Sequence, residues 1–276
     1  MVVKADFAVV HANELATLVG KTGKPQARDQ LNDVGTIKDG AVAVKDGKIV
    51  AVGTTKEVLD RLEKRCELID ASGRLVTPGL IDPHVHLGFA GSREEELETM
   101  AVKGVPYLEI KAKGGGMPTT LRKTGEASTE ELVERTTQIL DTMLIHGTTT
   151  IEAKSGYEMT FKGEIRQMEI INNLGKSHPI DIVPTFMAQG IPFEYENKVD
   201  QLTDENVKNW IPEVAKRRLA EYCDVFCEKG YFNVEQSRRI LETGKKHGMK
   251  LRIHADWLGH SGGARLGADL GVISAD

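Results

Sequence analysis

The sequence predicts an α/β protein with a parallel sheet and covering helices, behind a small β-rich N-terminal domain over residues 1–75. Three observations predict it: turn-bracketed alternating runs in the first part, apolar strand-like runs from Arg74 onward, and well-capped amphipathic helices between those runs. In the leading part, Asp39-Gly40 and Asp46-Gly47 bracket Ala41-Val42-Ala43-Val44, and Lys48-Ile49-Val50-Ala51-Val52-Gly53 follows as the return strand of a hairpin. Thr54 and Glu57 stand at capping-box spacing before Val58, Leu59 and Leu62, which predicts a short helix. Beyond Arg74 the predicted strands are Leu75 to Ile81, Thr148 to Ala153, Ile180 to Phe186, Cys223 to Cys227, Lys250 to Ile253, and one opening near Gly271. Ser128 with Glu131 predicts a capped helix carrying Leu132, Ile139, Leu140 and Met143. Ile165, Met168, Ile171 and Leu174 form an apolar stripe closed by Gly175, and Asn233 with Gln236 opens a helix ending near His247-Gly248. Repeated strand-helix-strand units are compatible with either a doubly wound sheet or a (β/α) barrel.

Composition narrows the function. The 276 residues carry 36 Lys+Arg against 41 Asp+Glu, a formal net charge of -5, so no basic excess is available to hold a phosphate backbone. No apolar run approaches the roughly 20 residues that cross a bilayer, and Lys4 and Asp6 fall where a signal peptide needs its apolar core. A soluble, cytoplasmic protein acting on a small-molecule substrate is expected, with neither nucleic acid nor membrane as partner. Cys66, Cys223 and Cys227 lack the paired CxxC pattern of structural zinc, and Cys223 and Cys227 read as core thiols.

The stretch from Gly88 to Gly125, rich in Gly and charge, predicts a long flexible lid. Its Gly114-Gly115-Gly116 can cradle an anion through backbone N–H groups, but no nucleotide-loop spacing accompanies it.

The chemistry concentrates at Pro83-His84-Val85-His86, where a predicted strand ends. Residues two apart on a strand share a face, so His84 and His86 present two imidazoles to one side. His254 closes another such strand, Leu251-Arg252-Ile253-His254. Three imidazoles at strand ends make a site for one divalent transition-metal ion, with zinc or iron favoured by nitrogen ligands.

The run Thr77-Pro78-Gly79-Leu80-Ile81-Asp82-Pro83-His84-Val85-His86 resembles the metal-binding signature of the amidohydrolase superfamily. Gly91 to Glu96, Gly104 to Ile110, Gly147 to Tyr157 (GTTTIEAKSGY), Asp224 to Gly230 (DVFCEKG) and Ser274-Ala275-Asp276, in that order along nearly the whole chain, resemble the imidazolonepropionase family within it. That resemblance implies a TIM-type (β/α) barrel, with residues 76–276 supplying its first five to six βα units. It also implies hydrolysis of the cyclic amide 4-imidazolone-5-propanoate to N-formimino-L-glutamate, a step of histidine degradation. The family's metal histidines match His84, His86 and His254, its substrate arginine matches Arg93, and its KSGY tyrosine matches Tyr157. Tyr107 is a further substrate candidate, and a homodimer is the candidate assembly of the full-length protein.

The chain departs from the family pattern at three places. The family's HADE is here His254-Ala255-Asp256-Trp257, so the catalytic glutamate is missing. The histidine expected near Met187-Ala188-Gln189-Gly190 is absent, and Gln189 is the residue there able to contact substrate through hydrogen bonds. The chain stops at Asp276, where the family continues with a histidine and, later, a metal-binding aspartate. A (β/α) barrel typically takes about 250 residues, and the residues after position 75 reach only a sixth strand, so a C-terminally truncated fragment, inactive alone, is expected. Trp257 keeps two rival readings open: a related amidohydrolase or aminohydrolase acting on another ring, and a barrel that has lost catalysis. A two-metal relative would need a bridging lysine carbamate, for which Lys229 is the residue to consider.

Overall fold

The computed structural model describes residues 2–19, 26–63, 65–158 and 160–276. They fall into two compact units, Met1–Gly79 and Leu80–Asp276.

The first unit is a five-stranded sheet. β1 (Phe7–Ala16), β2 (Thr36–Lys45), β3 (Lys48–Thr54) and β4 (Glu67–Asp70) lie in the order β3-β2-β1-β4, and β5 (Leu75–Val76) pairs beside β1. The Asp46-Gly47 turn joins β2 to β3 in antiparallel register, with Val44 opposite Ile49. Helix α1 (Thr55–Leu59) begins at the expected capping box: Thr54 accepts from the Glu57 N–H, and Glu57 accepts from the Thr54 N–H in return. Alternation along β1 and β2 sends Ala8, Val10, Ala41 and Ala43 to one face, where they bury Val58 of α1.

The second unit begins with a break that the sequence reading had bridged. Leu75 to Ile81 is not one strand: Thr77-Pro78-Gly79 interrupts it, Leu75–Val76 pairs with β1, and Leu80–His86 forms β6. Pro78 lacks the N–H a ladder needs, which accounts for the interruption. The sheet continues with β7 (Thr148–Lys154), β8 (Asp181–Ala188), β9 (Tyr222–Cys227), β10 (Lys250–Ala255) and β11 (Ser274–Ala275), all parallel in the order β6-β7-β8-β9-β10-β11. Between them lie α2 (Glu94–Lys103), α3 (Tyr107–Ala112), α4 (Met117–Glu126), α5 (Thr129–Ile145), α6 (Phe161–Ser177), α7 (Val199–Glu205), α8 (Ile211–Lys216), α9 (Val234–Lys246) and α10 (Gly263–Leu270). No helix among the described residues is long and apolar enough to cross a membrane.

The sheet is curled. Four strand spacings separate β6 from β10, about 19 Å if the sheet were flat, yet Arg252 on β10 donates to the Pro83 carbonyl on β6 at 3.0 Å. Only a barrel-like arc brings those strands together. Ile151, Ala153, Phe186, Cys223, Val225, Leu251 and Ile253 face outward and pack with Leu132, Leu140, Met168, Ile171 and Leu241 of the helices. The alternate positions point to the inside of the arc, which is where the polar residues of these strands stand.

The Gly88–Gly125 stretch is not one loop but holds α2, α3 and α4. One N–H of the triple glycine meets an internal carboxylate: the Gly116 N–H donates to Glu96 at 2.9 and 3.0 Å. Helix α6 also runs two residues past Gly175, which does not close it; a Cβ there would stand 3.4 Å from Ile182, so the glycine marks where helix and sheet approach. At Ser128 the cap is one-sided, with the Ser128 hydroxyl accepting from Glu131 while the Glu131 carboxylate pairs with Arg135.

Two helix–strand approaches are equally tight: at Gly244 of α9 a Cβ would fall 2.5 Å from the Cβ of Cys223, and at Gly263 of α10 it would fall 2.5 Å from the Cβ of Ala255. Gly244→Ala therefore pushes α9 off the sheet, and urea unfolding is expected to register a loss of about 1–3 kcal/mol. An unchanged midpoint would show that the helix shifts freely.

Candidate active site

All seven residues singled out in the sequence line one cavity of about 470 Å³: His84, His86, Arg93, Tyr107, Tyr157, Gln189 and His254. Phe226, Trp257 and Asp276 line it with them. Strand alternation explains the convergence, since His84 and His86 end β6 and His254 ends β10 on the inner face. The His84 and His254 Nε2 atoms are 3.2 Å apart, and the His86 ring lies 5.6 and 6.3 Å from the His84 and His254 rings. Two nitrogens bound tetrahedrally at 2.0–2.1 Å from one ion stand about 3.3 Å apart, so the spacing of these imidazoles fits a shared cation. A buried, unpartnered Nδ1 on His86 adds to the fit.

At His86 and His84, electrostatics favours the neutral ring a metal requires. Burial, joined by the charges of His254 and His84, brings His86 down to about 3, so its ring is neutral at pH 7. His84 is also lowered, first by burial and then by His254. Behind the rings lies a row of buried charge. Asp224 Oδ2 stands 3.0 Å from His254 Nδ1, and Asp276 Oδ2 is 3.5 Å from His84 Nδ1. Lys154, fully buried, reaches Glu152 at 3.0 Å, Asp224 at 3.0 Å and Asp276 at 3.3 Å. Burial opposes ionisation of Asp224, but His254 and Lys154 outweigh it and hold the carboxyl near 2. Burial likewise opposes the charge on Lys154, and Asp224 and Glu152 overcome it and raise its pKa.

Sequence reasoning missed this row, as it missed Gln167 and Glu228. A signal was present: Glu152 and Lys154 sit two apart in an apolar strand, the same spacing as His84 and His86, and so share one inward face. Lys229, considered for a carbamate, is instead exposed on the loop after β9.

The loops above the sheet place the remaining groups. Gln167 of α6, 0% exposed, accepts from the Gly156 and Tyr157 N–H groups and donates to the Leu87 carbonyl, so one side chain fastens Tyr157 to the end of the β6 segment. Gly156 is required there, with φ +110° and Gln189 Oε1 2.7 Å from where a Cβ would be. The Tyr157 ring meets His86 edge-on at 5.1 Å, and burial raises its hydroxyl pKa against the opposing charge of Arg93. Arg93 stands at the N-cap position of α2 and its side chain reaches Glu96 at 3.4 Å, so it both lines the cavity and pairs within its loop. The Tyr107 hydroxyl accepts from the Met117 N–H. Trp257 is 62% exposed, its ring 5.7 Å from Tyr107 and 6.2 Å from Phe226, and its backbone N–H donates to the buried Glu228 carboxylate.

A curled parallel sheet with histidines at its strand ends defines a class, and the sequence of the amidohydrolase family matches residues 75–265. The chain belongs to that family. Residues 40–61 match the imidazolonepropionase-like composite domain of bacteria. The chain is 47% identical over 270 residues to the imidazolonepropionase of Brevibacillus brevis, covering 96% of this chain and 63% of that protein. It is 47% identical over 272 residues to the imidazolonepropionase of Geobacillus kaustophilus, covering 97% and 64%. It thus spans a little under two thirds of the length of these relatives. Among solved structures it shares its fold with E. coli guanine deaminase (TM-score 0.58, 15% identity, 96% of this chain and 60% of that one). Klebsiella pneumoniae 5-methylcytosine deaminase is also similar (TM-score 0.56, 14% identity, 91% and 52%).

Proposed function

We propose that this protein hydrolyses 4-imidazolone-5-propanoate to N-formimino-L-glutamate in histidine degradation, with one zinc or iron ion held by His84, His86 and His254. The carrying observation is the joining, in one cavity, of a three-imidazole cluster and an arginine suited to a carboxylate tail. The identity to imidazolonepropionases supports the choice of ring. A bound divalent ion supplies Lewis acidity, which polarises a carbonyl and acidifies water.

The chain's own residues account for recognition. The Arg93 guanidinium clamps the propionate, for which its planar fork offers two parallel N–H donors. Tyr157 keeps its proton, because burial raises its pKa, and donates a hydrogen bond beside His86. Gln189 brings a buried Oε1 without a hydrogen-bond partner, an acceptor for a ring N–H. Phe226 and Tyr107 give the planar ring apolar walls. Ring opening breaks the amide C–N bond: water's oxygen makes the carbonyl carbon a carboxylate, and the departing nitrogen takes a proton. We place the protein in the cytoplasm, supported by three unpaired cysteines.

Trp257 favours one second reading, a related amidohydrolase for another ring, because an indole replaces the family's proton-moving glutamate. The test is to incubate the full-length protein, loaded with zinc or iron, with imidazolonepropionate and identify the product. N-Formimino-L-glutamate is expected. Turnover of another cyclic amide with no opening of this one assigns the second reading.

A further inference from the structure

The buried lysine beside the histidine cluster has no part in substrate recognition, and its surroundings point to a purpose. Lys154 Nζ lies within 3.0–3.3 Å of one oxygen from each of Glu152, Asp224 and Asp276. Two of those carboxylates also touch the cluster, Asp224 at His254 and Asp276 at His84. The ammonium is therefore one carboxylate away from two of the three imidazoles, as a second metal ion would be in a carboxylate-bridged pair. Asp224, His254 and Asp276 themselves stand close enough to share an ion. The second oxygen of Glu152, on a side chain 4% exposed, has no hydrogen-bond partner. It is a spare buried ligand atom in the same cluster of charges.

We propose that the Lys154 ammonium occupies a second cation position and thereby holds the centre to one metal ion. Without it, Glu152, Asp224 and Asp276 become a site for a hard divalent cation such as Mn²⁺. The charges require a cation of some kind: three carboxylates face Lys154 and Arg252, with Arg252 the more distant partner at 3.7 Å from Asp276 and 3.9 Å from Glu152. Carboxylation of Lys154 would add a fourth negative charge to the group, so the lysine acts as an ammonium and not as a bridging carbamate. All three ligands are oxygens, the donors that magnesium and manganese prefer, whereas the histidine cluster suits zinc or iron. An ion of that size binds oxygen at about 2.1 Å, so the carboxylates must close in by roughly 1 Å once the ammonium is gone.

The inference rests on the proposed metal at the histidines, but it is judged on the increment between variant and parent. The protein and its Lys154→Ala variant are titrated with Mn²⁺, counting ions by elemental analysis and following spin coupling by electron paramagnetic resonance. The parent is expected to hold one ion, and the variant two with a coupled signal. Adding His86→Ala to Lys154→Ala is expected to weaken the first ion and leave the second. Lys154→Ala/Glu152→Gln keeps the cluster's net charge and guards against misfolding, and it too is expected to hold one ion more than the parent, bound more weakly. A folded variant holding no more ions than the parent overturns the proposal, as does a parent holding two. Failure of both variants to fold at saturating Mn²⁺ also overturns it. A parent holding none counts against the proposed function, while the increment still decides this point.

Discussion

His254→Ala leaves the protein unable to retain its metal. Losing a residue that merely supports a ligand costs 10- to 100-fold in metal affinity, so losing a ligand is expected to exceed about 100-fold. Hydrolysis should then fall in proportion to metal occupancy. His254 also joins the cluster to the buried charge row, with Nε2 3.2 Å from His84 and Nδ1 3.0 Å from Asp224. Equilibrium dialysis against zinc, with circular dichroism to establish folding, reads the effect. A folded His254→Ala protein that binds zinc as tightly as the parent would remove the three-histidine site from the account.

Arg93→Met is the second large effect, and it separates recognition from chemistry. Methionine keeps much of the volume and discards the charge. A hydrogen bond to a charged group contributes roughly 1.5–3 kcal/mol, so kcat/KM for imidazolonepropionate should drop roughly 10- to 100-fold, chiefly through KM. A ring analogue lacking the propionate provides the control, since it has no carboxylate to lose and should be turned over equally by both proteins. An equal loss on both substrates would show that Arg93 instead serves the loop, through its contact with Glu96.

Much of this was legible in the sequence because it depends on local periodicity. Capping boxes at Thr54 and Asn233 mark true helix starts, and alternation at His84 and His86 puts both rings on one face. Tertiary requirements were not legible. Pro78 divides a run whose hydrophobicity is continuous, and the glycines and charges of residues 88–125 hide three short helices whose joins depend on Glu96 reaching Gly116. Gly175 has the appearance of a helix stop, yet it serves close packing against Ile182. The buried charge row escaped because its partners lie on different strands: Lys154 and Asp224 are 70 residues apart, and Lys154 and Asp276 are 122 apart. Only the curl of the sheet brings them together. Gln167 was equally hidden, being a polar residue beside the apolar stripe of α6, where a solvated face would be the ordinary reading.

The central claim is that the imidazolone ring is opened at a site whose three imidazoles would hold one metal ion. It is tested most directly by adding zinc or iron to the metal-free full-length protein in steps and measuring the rate of N-formimino-L-glutamate formation at each. The rate should start from near zero, rise linearly and level off at one equivalent. Turnover by the metal-free protein, or a rise that continues to two equivalents, would contradict it.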